Sequence, residues 1–95
     1  MKVYKYTALL TDLVLIHLPA GAEILHIDHQ GREDNGEVSI WALVDPDLPL
    51  CDRFVRIAGT GHPIVGDGGV LKYINTFTMM DRSLWFHAFE LLEKY

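Results

Sequence analysis

One cysteine, Cys51, serves the whole 95-residue chain. An intramolecular disulfide is therefore impossible, and so is a zinc site built on cysteine pairs. A chain that makes no use of disulfides suits a reducing compartment, and the cytoplasm is the expected one. Basic residues are scarce as well: eight Lys and Arg stand against thirteen Asp and Glu, for a formal net charge of −5 at pH 7. The eight are scattered along the chain, so no basic face is available and duplex nucleic acid is an unsuitable partner. No apolar run reaches the ~20 residues that cross a bilayer as a helix, so no membrane association is expected. The opening MKVYKYTALL lacks the apolar core and small-residue cleavage site of a secretory leader. No window keeps a sustained helical period, and no cofactor fingerprint is present, so no cofactor is expected.

What the chain does have is hydrophobic content, 49% of residues, arranged in short runs. Its length fits a single domain, one that buries roughly 60–65% of its unfolded surface and is correspondingly thin in stability. Lys2 to Thr7 alternates. Leu13 to Leu18, "LVLIHL", has strand length and stops at Pro19-Ala20-Gly21. In Glu23 to Gln30, "EILHIDHQ", alternation sets Leu25 and Ile27 on one face and His26, Asp28 and Gln30 on the other. "GREDNG" (31–36) reads as a hairpin turn. Val38 to Val44, "VSIWALV", is apolar on both faces, as in a central strand or one covered by a partner.

"DPDLPLCD" (45–52) reads as a proline-broken loop, Phe54 to Ala58 as a strand, and "GTGHPIVGDGG" (59–69) as a glycine-rich loop. In Leu71 to Thr78, alternation opposes Leu71, Tyr73 and Asn75 to Lys72, Ile74 and Thr76. Ser83 to Leu91 carries aromatics on both faces. The final segment, Leu84 to Tyr95, has helical propensity with Ser83 as a cap, yet "MDRS" between two aromatic runs reads as a hairpin and favours a strand. About seven strands with short links predict an all-β fold, a small antiparallel β-sandwich or partly open barrel.

Three stretches, "LPAGAEILHIDHQ" (18–30), "WALVDPD" (41–47) and "RIAGTGHPI" (56–64), together with the opening "KVYKY" and the late Trp85–Glu90 segment, resemble a family of short phage and prophage proteins of unknown function. The likeness spans nearly the whole chain in order and implies a viral or prophage origin, with little chemistry attached. Two departures stand out. Asn75 precedes Thr76-Phe77 where a glycine is commoner, and "VGDGG" enlarges the loop after "GTGHPI".

Gly59-Thr60-Gly61-His62 is the most suggestive local motif. Glycines permit close backbone approach, successive N–H groups can form an anion-binding nest, and Thr60 and His62 add side-chain donors. Arg56 shares a strand face with Ala58 and can reach the same end. These five residues, Arg56, Gly59, Thr60, Gly61 and His62, form a candidate ligand site for a phosphate, a carboxylate or a base edge. The plainer alternative is a tight corner, because the strand–helix setting and lysine of a phosphate loop are missing.

Among the remaining histidines, His26 and Asp28 share a face, but two ligands do not make a metal site. Cys51 lies between a proline-rich loop and Asp52, whose charge disfavours the thiolate, so it is not a nucleophile candidate. Trp85, His87 and Phe89 line one face of their strand. With Trp41 they are candidate residues for a partner or homo-oligomer seam, since so short a chain cannot cover both faces of every apolar strand. The simple alternative is a well-filled core.

Three functions follow as expectations. The first is a phage or prophage accessory protein that inhibits a bacterial anti-phage defence, by occluding a host protein or by sequestering a signalling nucleotide. The second is a minor virion or assembly protein. The third is a small hydrolase using His62 or His26 with Asp28. No catalytic signature is present, and binding is the leading expectation.

Overall fold

The computed structural model describes residues 1–29, 36–64, 70–79 and 82–93. Seven strands follow one another: β1 (Lys2–Leu9), β2 (Leu13–Pro19), β3 (Glu23–Asp28), β4 (Glu37–Val44), β5 (Leu50–Gly59), β6 (Val70–Met79) and β7 (Leu84–Glu93). They form a three-stranded sheet, β1-β4-β3, and a four-stranded sheet, β2-β5-β7-β6, with every pairing antiparallel. The expected all-β sandwich is the observed fold. It is not a closed barrel, and no helix occurs among the described residues. The β6–β7 hairpin brings Met79 opposite Leu84, so the final segment is a strand despite its helical propensity.

The slab measures 39 × 32 × 16 Å between Cα extremes, leaving room for a single layer of side chains between the sheets. Strand periodicity fills that layer. From β4 come Val38, Ile40, Ala42 and Val44, all 0% exposed, and these meet Val14, Ile16 and Leu18 of β2, Val55 and Ile57 of β5, and Ala88 of β7. Burying each Leu, Ile or Val of this set contributes roughly 1.5–3 kcal/mol.

Two bulges overturn the alternation expected from the sequence. A register shift between Ile24 and His26 pushes Leu25 out to 42% exposure and leaves Ile24 and Ile27 facing the core. A second shift between Tyr73 and Asn75 puts Tyr73 on the same side as Thr76 and turns Asn75 inward. An inserted residue reverses side-chain parity beyond it, which strict period-2 reading cannot anticipate.

Asn75 uses that inward aim. Its amide accepts a hydrogen bond from the Ile27 backbone N–H and donates one to the Ile27 carbonyl, both at 2.8 Å. One side chain thereby serves the β3 edge as a strand neighbour would and ties the two sheets along the β3–β6 seam.

Turn chemistry explains two of the stretches that carry the family resemblance. Ala22 N–H bonds the Pro19 carbonyl at 3.1 Å, with Gly21 at φ 76°, the positive value that the third residue of a type II turn requires. At Asp45-Pro46-Asp47-Leu48, Leu48 N–H bonds the Asp45 carbonyl and Asp47 N–H bonds its carboxylate, both at 3.1 Å. Asp followed by Pro is suited to that geometry. Leu50 to Asp52, expected to be loop, belong to β5, because Pro49 precedes the paired region and Cys51 and Asp52 sit opposite Leu18 and His17. The expected turn at 31–36 falls mostly outside the described residues.

The core also takes in a charged pair. Arg53 Nε donates to Glu90 Oε2, with side-chain exposures of 19% and 6%. This hydrogen bond to Glu90, ahead of the opposing effect of burial, holds the guanidinium above its ordinary value and hence permanently charged.

Candidate binding face and corner

At its far end β5 stops in the corner singled out from the sequence. His62 N–H bonds the Gly59 carbonyl at 3.0 Å, and Gly61 has φ 85°, again the type II arrangement. Thr60 N–H bonds the Trp85 carbonyl at 3.2 Å and pins the corner to the start of β7. Gly59 meets a different demand: a Cβ there would lie 3.2 Å from His62 Nδ1, so the imidazole packs on the bare glycine.

Two open clefts adjoin this turn. One, of about 460 Å3, is walled by Leu10, Asp12, Arg56, Gly59, His62 and Phe86. The other, of about 500 Å3, is walled by Thr60, His62, Ser83, Leu84 and Trp85. Arg56, Gly59, Thr60 and His62 are thus brought together, and Gly61 shapes the turn that joins them.

His87 connects the corner to the outer surface of the four-stranded sheet. Its Nε2 lies 2.8 Å from Thr60 Oγ1 and its Nδ1 lies 3.0 Å from Thr76 Oγ1, while Thr76 Oγ1 is 2.8 Å from Tyr73 OH. Among the described residues, hydroxyls rather than a carboxylate meet both ring nitrogens of His87. Sequence reading missed Tyr73 and Thr76 as members of this chain. The Thr76–His87 pairing follows from counting back along the hairpin, but the bulge at Tyr73/Asn75 hides Tyr73 from that count.

Trp85, His87 and Phe89 share the outer side of β7. The Trp85 indole donates to the Arg82 carbonyl at 3.0 Å and leaves the side chain 51% exposed. Arg82 holds φ 70°, a left-handed backbone conformation uncommon outside glycine. Phe89 meets Tyr73 edge-on at 5.6 Å between ring centroids. Trp41, grouped with these residues from sequence, lies on the opposite face of the sandwich. There it packs between Lys5, whose Nζ is 5.9 Å above its ring, and His26, 5.7 Å away. The candidate seam therefore divides into three residues on one face and one on the other. His26 and Asp28 gather no third ligand: no cluster of three or more His, Cys, Asp or Glu suited to a metal occurs among the described residues.

The sequence pattern of a family described as Domain of unknown function (DUF7352) matches residues 1–94. This chain belongs to DUF7352. No curated protein and no solved structure matches the DUF7352 chain. No helix among its described residues is long and apolar enough to cross a membrane.

Proposed function

We propose that this DUF7352 chain is a phage or prophage accessory protein that acts by binding, and that it inhibits a bacterial anti-phage defence by sequestering a small signalling nucleotide at the Gly59–His62 corner. The observation that carries the reading is the meeting of Arg56, Thr60, His62 and an exposed Trp85 around two adjoining clefts of about 460 and 500 Å3, volumes within the range of small-molecule sites. Arg56 offers fixed charge and directed donors to a phosphate. Trp85 offers a ring for a base to stack on. The viral setting is supported by the resemblance to phage and prophage proteins.

A thermal-shift panel of cyclic and linear nucleotides tests this. A ligand present at 100 times its dissociation constant adds about 2.7 kcal/mol, which for a domain of this size raises Tm by roughly 10–20 °C. Arg56→Ala and Trp85→Ala should each abolish the rise, whereas Val3→Ala on the other sheet should leave it intact. If no nucleotide raises Tm, the sequestering role is lost. Occlusion of a host protein then takes its place.

A further inference from the structure

The outer side of β2-β5-β7-β6 has the wrong chemistry for a surface left in water. An antiparallel sheet with one solvated face alternates apolar-in with polar-out. The three-stranded sheet is mixed, with Lys5, Thr7, Glu23, His26 and Asp28 outward beside Val3, Leu25 and Trp41. On the four-stranded sheet two of the outward cross-strand rows are apolar but for Arg56, and they lie beside the more polar Ala58–His87–Thr76 row. One row runs Leu13–Arg56–Phe89–Tyr73 and the next Leu15–Phe54–Leu91–Leu71. Leu13, Leu15 and Tyr73 are 37%, 48% and 56% exposed, and no element of the chain is packed over them among the described residues.

We propose that this face is a dimer interface, covered by the same face of a second copy. The interface shares Arg56 with the corner site but requires no bound nucleotide, and mass rather than melting temperature reads it. The order of residues within each row supports a second copy over an unrelated partner. A two-fold axis running along the strands, in the plane between two stacked sheets and centred between β5 and β7, lays β7 of the second copy over β5 and its β6 over β2. Leu15 then meets Leu71 of the second copy, Phe54 meets its Leu91, and Leu13 meets its Tyr73. Arg56 lies over the second copy's Phe89, a cation–π arrangement. Apolar groups thus meet apolar groups along both rows, apart from Arg56, and each contact occurs twice, as an isologous contact requires.

Charge permits the approach despite a net −5 on each chain. Of the described side chains on this face the acidic one is Asp52, and it is paired with His17 at 2.9 Å. The area is sufficient too. Four strands about 4.8 Å apart and roughly 30 Å long present about 600 Å2 in projection. A pair therefore buries about 1,200 Å2 in total before side-chain relief is counted, which reaches the range of specific interfaces.

Sedimentation velocity and light scattering across ~1–100 µM protein test the proposal, since a standard dimer has micromolar or tighter affinity. The wild-type chain should run at twice its 10.8 kDa. Leu15→Glu and Tyr73→Glu each bury an unpaired charge against an apolar partner and should each weaken dimerisation by at least ~100-fold. Both positions are already substantially exposed, so the fold should survive, as circular dichroism will check. Val3→Glu, on the opposite face at 56% exposure, should leave the dimer intact. A wild-type chain monomeric throughout this range overturns the proposal. So does a dimer that Val3→Glu breaks while Leu15→Glu and Tyr73→Glu spare it.

Discussion

Replacing Asn75 by alanine isolates the bridge between the sheets. Ile27 is 0% exposed, and its backbone N–H and carbonyl both bond the Asn75 amide at 2.8 Å. Because β3 is an edge strand of its sheet, no neighbouring strand lies on the β6 side to replace that amide. Leaving a buried polar group unpaired costs about 1–3 kcal/mol, and water entering the seam recovers part of that for two groups, so Asn75→Ala should lose about 2–4 kcal/mol. For a chain of this length that corresponds to a fall in Tm of roughly 10–25 °C. Urea unfolding followed by circular dichroism, at one fixed protein concentration, reads it directly. Thr7→Ala on the exposed face of β1 is the control and should stay within about 0.5 kcal/mol of wild type. Asn75→Asp keeps an acceptor for the Ile27 N–H but turns a carboxylate oxygen toward the Ile27 carbonyl, so it should be no more stable than the alanine variant at neutral pH. If Asn75→Ala unfolds at the same midpoint as Thr7→Ala, the amide does not join the sheets and the reasoning fails.

Two further expectations concern the core and the corner. Glu90→Ala strands the Arg53 guanidinium and should cost about 2–4 kcal/mol, while Arg53→Met combined with Glu90→Leu should regain most of it, because a buried pair rarely outperforms well-packed apolar side chains; chemical denaturation of both variants decides, and a double variant weaker than Glu90→Ala contradicts this. Gly61→Ala forces a Cβ onto a backbone at φ 85° and should cost about 1–2 kcal/mol, whereas Gly59→Ala should cost less than about 1 kcal/mol but shift the NMR resonances of the His62 ring, which lies 3.2 Å from the added carbon.

The strands were readable because one side of each must be apolar, and a two-residue period shows that directly in "VSIWALV" and "LVLIHL". The turns at Pro19–Ala22 and Asp45–Leu48 were readable because Gly, Pro and Asp have few other reasons to cluster. Parity beyond the bulges was hidden, since an extra residue leaves no mark in composition; Leu25, Asn75 and Thr76 were therefore assigned to the wrong sides. The corner was recognisable as Gly59-Thr60-Gly61-His62, and Arg56 lines the same cleft as Gly59 and His62. The chain from Thr60 through His87 and Thr76 to Tyr73 joins residues from three strands or their ends, and such a union depends on a register that no local window contains. Trp41 was grouped with Trp85 by residue type, and topology then sent the two to opposite faces.

The 16 Å separation of the Cα extremes along the thin axis has a mechanical corollary. Ile40, Val55 and Leu18 lie in a thin layer held between two hydrogen-bonded sheets, so a void opened at any of them is bounded by strands that resist slumping inward. Shaving a side chain in such a wafer should exact nearly the full cavity penalty, where a thicker body would partly heal.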